Sequence, residues 1–105
     1  MSNIWLIRST FAGKDEAISV ARALLEEKLV ACANIGESVT ALYHWEDMLQ
    51  QENETVVLFK TTEIKSEATI ARIKALHSYK IPSIVAWKAD AVDAAFAAWV
   101  AAEVA

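Results

Sequence analysis

The sequence has few of the residues that interrupt or cross-link a chain. Its 105 residues include one cysteine, one proline and two glycines. A single cysteine excludes an internal disulfide, which suits a reducing compartment. No run of about 18 uncharged apolar residues is present, so we expect no membrane-spanning helix. The N-terminal stretch MSNIWLIRSTFAGKDE has no basic segment followed by a long apolar one, so we expect no signal peptide and a cytoplasmic location.

Positive charge is also scarce. Lysine and arginine number 10 against 14 aspartates and glutamates, which gives a net charge of -4 and a pI of about 5.1. Nucleic acids and anionic membrane surfaces bind basic patches, so we expect neither as a partner. Apolar residues, by contrast, make up 55% of the chain. Because a small domain has much surface for its volume, this surplus favours an interface between copies of the chain.

The apolar pattern predicts a single domain over residues 1–105 with the order β-α-β-β-α-β and an added C-terminal helix. The first strand is expected over residues 3–10, and the second over 31–35 and 39–45. The third is a return strand that ends near residue 62, and the fourth covers residues 83–87. This order is the ferredoxin-like α+β pattern, in which right-handed crossovers place both main helices on one face of an antiparallel sheet.

Three boundary features are expected within this pattern. Gly36 breaks or bends the second strand, and Glu46-Asp47 forms the turn into the return strand. Asp90 with Asp93 caps the last helix, which is expected to bury its apolar residues Val92, Phe96 and Trp99.

Cys32 and His77 are the residues whose chemistry best suits a metal. A cysteine thiolate is a soft ligand of the kind that copper prefers, but a lone cysteine in a strand is also a common inert core residue. His77 ends a predicted helix, where its cation is stabilised by the helix dipole without any metal. No second histidine or cysteine lies near it at ligand spacing. The residues alone therefore leave both interpretations open.

No complete catalytic set is present. The chain has no glycine-rich phosphate loop, no serine nucleophile motif and no zinc-finger spacing. The strand TVVLFKTT has one aromatic residue and no glycine, unlike the basic-aromatic run of RNA-recognition domains. We therefore expect a protein that is neither an enzyme nor an RNA-binding domain.

Three stretches, ARALLEEKLVACANI, VTALYHWEDMLQQENETVVLFKTT and HSYKIPSIVAW, resemble the CutA family, the divalent-cation tolerance proteins. The resemblance covers nearly the whole chain in order and spacing. The matching residues are Leu29, Ala31, Cys32, Asn34, Ile35, Tyr43, Trp45, Glu54, Lys60, Thr61, His77, Tyr79, Pro82 and Ile84. Three positions depart from the family pattern: Asp47 replaces a glycine, Ser78 a proline, and Ser83 a glutamate close to His77.

The resemblance implies a PII-like homotrimer of ferredoxin-like subunits whose long hairpin strands pair across subunits and cover the sheet edges. It also implies tolerance of copper and other divalent cations. The leading hypothesis is that the trimer binds copper or another divalent ion through Cys32 and His77, completed by oxygens at the interface.

Two other interpretations remain. In the first, the chain is a PII-like sensor or binding module, and metal binding is incidental. A cleft between subunits would then hold a small ligand or a protein segment, and we expect it to be lined by Trp45, Glu54, Lys60 and Tyr79, together with His77. In the second, the trimer is purely structural and all of these residues have packing roles.

Overall fold

The computed structural model describes residues 3–105 and has four strands and three helices in the expected order. The elements are β1 Ile4–Phe11, α1 Lys14–Glu26, β2 Cys32–Trp45, β3 Met48–Thr62, α2 Glu63–Leu76, β4 Ile84–Lys88 and α3 Ala94–Glu103. The strands form one antiparallel sheet with the order β2-β3-β1-β4. The predicted ferredoxin-like α+β fold with an added C-terminal helix is confirmed.

Strand alternation gives the sheet two different faces, because successive side chains point to opposite sides. On the helix face, which α1 and α2 cover, Ile7, Phe11 and Phe59 belong to the main core. On the opposite face, which we call the open face, Ile4 packs with Val100 of α3 in a smaller cluster. The larger core is therefore shared by two helices, whereas the open face is covered by α3 at one end.

Helix α3 differs from the prediction in what it buries. Asp93 caps it, since a carboxylate oxygen accepts a hydrogen bond from the Phe96 backbone N–H at 3.0 Å. Trp99, which was expected to be buried, is 44% exposed. Val100 and Val104, one helical turn apart, face the sheet in its place, and this turns Trp99 outward.

Strands β2 and β3 form a hairpin that extends beyond the rest of the sheet. Their register shifts between Ile35 and Ser38, so Gly36 lies in a β-bulge and bends the strand without ending it. A Cβ atom at Gly36 would lie 3.3 Å from the Val56 carbonyl oxygen, which explains a glycine at this close approach. Pairing of β3 with β1 ends at Thr55. Residues 38–54 therefore form a two-stranded ribbon, which we call the arm.

Candidate functional site

A cleft of about 950 Å³ lies between the arm and the loop that follows α2. Three of the five residues expected in the cleft, Trp45, Glu54 and Tyr79, line it, whereas Lys60 and His77 do not. Arg8 and Ser83 line it as well. Clefts that bind small ligands measure roughly 300–1,000 Å³, so this one has the size of a ligand site. Because a serine stands at position 83, the cleft has one carboxylate fewer than the family pattern implies.

The two tyrosines of the chain meet the acidic side of this cleft in different ways. The Tyr43 hydroxyl donates a hydrogen bond to Glu52 Oε1 at 2.9 Å, and this bond to a carboxylate raises the pKa of Tyr43. The Tyr79 hydroxyl is buried and has no hydrogen-bond partner among residues 3–105. Burial, and after it the nearby Glu54 carboxylate, raises the pKa of Tyr79 well above its usual range. Both phenols therefore stay protonated at neutral pH.

Lys60, which was also expected in the cleft, lies elsewhere on the open face. Its Nζ donates a hydrogen bond to Asn34 Oδ1 at 2.7 Å and lies 5.7 Å from the centre of the Phe96 ring. Lys60 lies six positions after Glu54 on β3, which is about 20 Å along an extended strand. The structure places Lys60 beneath α3 and outside the cleft.

His77 is buried and both of its ring nitrogens already have partners. Nε2 lies 2.8 Å from the Thr10 carbonyl oxygen, and Nδ1 accepts a hydrogen bond from the Tyr79 backbone N–H at 3.1 Å. Since Nδ1 accepts a hydrogen bond, Nε2 is the nitrogen that donates to the Thr10 carbonyl oxygen. The ring also stacks on Phe11 with 4.5 Å between ring centres. His77 thus joins the end of β1 to the loop beside the cleft.

Ser78, which stands where the family pattern has a proline, bonds to helix α1. Its backbone N–H and its hydroxyl both donate hydrogen bonds to the Glu16 carboxylate, each at 2.9 Å. A proline has neither donor, so these two bonds depend on the serine.

Cys32 begins β2 on the open face and pairs with Lys60. Partial burial raises the pKa of its thiol, and the positive charge of Lys60 offsets only part of this effect. Cys32 is therefore a thiol at neutral pH, and a metal would have to displace its proton.

The structure does not bring Cys32 and His77 together within one chain. Cys32 lies level with Lys60 and Leu6 on the open face, whereas His77 contacts Thr10 and stacks on Phe11 in the helix-face core. The four residue steps from Leu6 to Thr10 span about 13 Å of strand. Across residues 3–105, no three histidine, cysteine, aspartate or glutamate side chains form a set that could hold a metal ion. Cys32 and His77 of one chain therefore do not form a common metal site.

Comparison with known proteins identifies the family. The family model described as CutA1 divalent ion tolerance protein matches residues 5–103. The chain belongs to the CutA1 family. The divalent-cation tolerance protein CutA of Thermotoga maritima is 34% identical over 94 residues, which are 90% of this chain and 92% of that protein. The predicted resemblance is thus confirmed.

Solved CutA structures match the fold along almost the whole chain. The CutA1 protein of Ehrlichia chaffeensis has a TM-score of 0.95 and 33% identity, with 100% of this chain and 98% of that chain covered. A CutA protein of Archaeoglobus fulgidus, named as periplasmic, has a TM-score of 0.93 and 30% identity, with 97% and 99% covered. In this chain, none of the helices within residues 3–105 has the length and apolar character needed to cross a membrane.

Sequence reasoning missed several residues around the CutA cleft. Arg8 and Glu52 line it, and Glu16 lies behind it on α1, yet the sequence predicted none of these for the cleft. Strand alternation offers a signal for the first two. Arg8 shares the parity of Thr10 on β1, and Glu52 that of Glu54 on β3, so each pair points to one face. No local pattern identifies Glu16, because its partner lies 62 residues away.

Proposed function

We propose that this CutA-family protein acts in divalent-cation tolerance as a cytoplasmic homotrimer that binds copper or another divalent cation with ligands from more than one subunit. The observation that supports the trimer is the arm. Leu42 and Leu49 are 65% and 69% exposed there, although a two-stranded ribbon alone is only marginally stable in water. The large exposed apolar residues of the arm are Val39, Leu42, Trp45, Met48 and Leu49. Such a surface, on a hairpin whose β2 strand is a sheet edge, is typical of a protein–protein interface.

Cys32 is the soft ligand in this proposal. Copper(I) prefers thiolates, and the partial burial of Cys32 limits competition from water. His77 is the second proposed ligand, and it takes part only if one ring nitrogen gives up its hydrogen bond to Thr10 or Tyr79. The remaining ligands are oxygens at the interface between subunits, where symmetry brings copies of one surface together.

An anaerobic copper(I) titration tests the metal site, with metal counted per subunit and mass measured by sedimentation in the same samples. We expect a trimer that binds copper tightly, with binding reduced in Cys32→Ser and in His77→Ala. Glu26→Gln is the control, because Glu26 is exposed on α1, outside both the arm and the cleft. Circular dichroism confirms that each variant is folded.

Two results would contradict this proposal. Copper binding that is unchanged in folded Cys32→Ser and His77→Ala would show that neither residue is a ligand. A monomeric mass would remove the interface that the site requires. The proposal includes no enzymatic activity, and it treats residues 1–105 as one CutA-like domain, which the family match over residues 5–103 supports.

A second function, a sensor or binding module for a small ligand, is favoured by the size of the cleft. It predicts thermal stabilisation by a metabolite, with copper binding insensitive to Cys32→Ser. Glu54→Gln, which changes the cleft lining, would reduce the stabilisation. Lys60→Gln serves as the control, since Lys60 lies outside the cleft of one chain. Equal loss in both variants would contradict a site formed by this cleft alone.

A further inference from the structure

The loop after α2 is fastened to α1 by one carboxylate. The Ser78 backbone N–H bonds to Glu16 Oε2 and the Ser78 hydroxyl to Glu16 Oε1, each at 2.9 Å. Both oxygens of the Glu16 carboxylate therefore bond to Ser78, and Oε2 also lies 3.9 Å from His77 Nδ1. The Glu16 side chain is 22% exposed, so these charge-assisted bonds are partly shielded from water. We call Glu16 and Ser78 the clamp.

The clamp is not needed to end helix α2. The helix ends at Leu76, and the His77 backbone N–H already donates to the Ile73 carbonyl oxygen at 2.9 Å. Ser78 follows this closing bond, so the clamp restrains the loop and not the helix. This is the part of the loop from which Tyr79 enters the cleft.

Tyr79 is held in place by Ser78 of the clamp and by His77. Ser78 precedes it in the chain, and its own N–H donates to His77 Nδ1 at 3.1 Å. The His77 and Tyr79 rings lie 4.9 Å apart at 44°. His77 itself is fixed by Thr10 and by its stacking on Phe11. Because His77 is fixed, a movement of Ser78 changes the backbone conformation at Tyr79 and the direction of its side chain relative to the His77 ring.

We infer that Glu16 is a positioning residue for the cleft. Through Ser78 it holds the Tyr79 ring where the hydroxyl is buried near Glu54. The inference rests on the cleft described above and does not depend on which ligand or metal the protein binds. It assigns a role at the cleft to a residue of α1 that does not line it.

Fluorine NMR tests this assignment, because the chain has only two tyrosines, Tyr43 and Tyr79. Protein labelled with 3-fluorotyrosine gives one signal for each, and Tyr43→Phe assigns them. Glu16→Gln removes the charge and one acceptor, and Ser78→Ala removes the hydroxyl bond. We expect each to move the Tyr79 signal towards that of the unfolded protein and to leave the Tyr43 signal within its linewidth. The double variant is expected to move the Tyr79 signal no further than the larger single change.

Glu26→Gln is the matched control, since Glu26 is an exposed glutamate on the same helix. Its side chain forms no hydrogen bond or ion pair within residues 3–105. It should move neither signal. A folded Glu16→Gln with an unchanged Tyr79 signal overturns the inference, and so does a shift of both tyrosine signals together, which would indicate general loosening. If Glu16→Gln fails to fold, Ser78→Ala decides by the same criterion. No metal or ligand is added, so a failure here is distinct from a failure of the copper or trimer proposals.

Discussion

His77 uses both ring nitrogens within its own chain, and this limits what it can offer a metal. A copper ion would have to replace the bond to Thr10 or the bond from Tyr79, and the second replacement would release the loop beside the cleft. Cys32 is different, because its half-buried sulfur has to lose only its own proton before it can bind a metal. At the scale of single residues, Cys32 is therefore the more available of the two predicted ligands.

The environment of Cys32 predicts a pH dependence for its reactivity. Alkylation proceeds through the thiolate, so burial should move the rise in alkylation rate to higher pH than for an ordinary cysteine. Lys60 opposes this effect and lowers the pKa of the thiol, because its positive charge stabilises the thiolate. Removing that charge in Lys60→Gln raises the pKa further and should shift the rate profile to still higher pH.

Iodoacetamide labelling followed by mass spectrometry across a pH series measures this profile. Lys74→Gln is the control, because Lys74 is an exposed lysine on α2, the helix on the opposite face of the sheet. A Lys60→Gln profile that moves to lower pH would show that Lys60 acts by shielding the sulfur and not by charge.

At the scale of elements, the left-handed backbone positions are occupied by residues other than glycine. Lys28, two residues after the end of α1, has φ 57°, and the hairpin turn has φ 51° at Glu46 and 65° at Asp47. Two successive positive φ values define a type I′ turn, which favours Asn-Gly or Asp-Gly. Each non-glycine residue in this conformation costs about 1 kcal/mol.

This cost predicts that Asp47→Gly stabilises the protein. We expect the free energy of unfolding to rise by about 0.5–1 kcal/mol, because the strain at Asp47 is relieved while some unfolded-state entropy is gained. Urea denaturation at one fixed protein concentration measures it, so that assembly affects both proteins equally. Asp90→Gly, the same change at an exposed loop position without positive φ, should give no gain. Equal stabilisation in both would attribute the effect to lost charge.

The order of elements could be predicted because alternation and helical spacing are local patterns. The bulge at Gly36 was predicted only as a break or a bend, since the cause is the approach of Val56 from the paired strand. Trp99 was assigned wrongly to the interior because the tail offers several apolar stripes, and only contact with Ile4 and its neighbours selects Val100.

The candidate site, like the fold, could be predicted from the sequence only in part. Tyr79 and Glu54 could be expected near a cleft from the family motifs, although the motifs gave no distances. The hydrogen bonds of Ser78 with Glu16, and of Lys60 with Asn34, join residues that are far apart in sequence. Such contacts depend on the packed structure and leave no local pattern.

At the scale of the whole molecule, the arm is the feature whose exposed apolar residues have no packing partner in either core of the chain. The chain measures 45 Å along its longest axis, against 27 and 23 Å across. Leu42 pairs opposite Gln51 and Leu49 opposite His44, so both leucines point to the same side of the arm as diagonal neighbours. An apolar pair so far from either core stabilises the protein only if another surface covers it.

In the proposed trimer, in which another subunit would cover this pair, a lysine at either position should prevent assembly. Either Leu42→Lys or Leu49→Lys would bury an unpaired charge in each subunit, at a cost of several kcal/mol per charge. We expect the sedimentation mass to fall from the trimer towards the 11.6 kDa of one chain. Ile64→Lys makes the same change on α2 at a side chain that is 90% exposed, and it should leave the mass unchanged. Trimers that persist in both leucine variants would mean that subunits meet elsewhere, and the groups that complete a site at Cys32 would then have to come from a surface other than the arm.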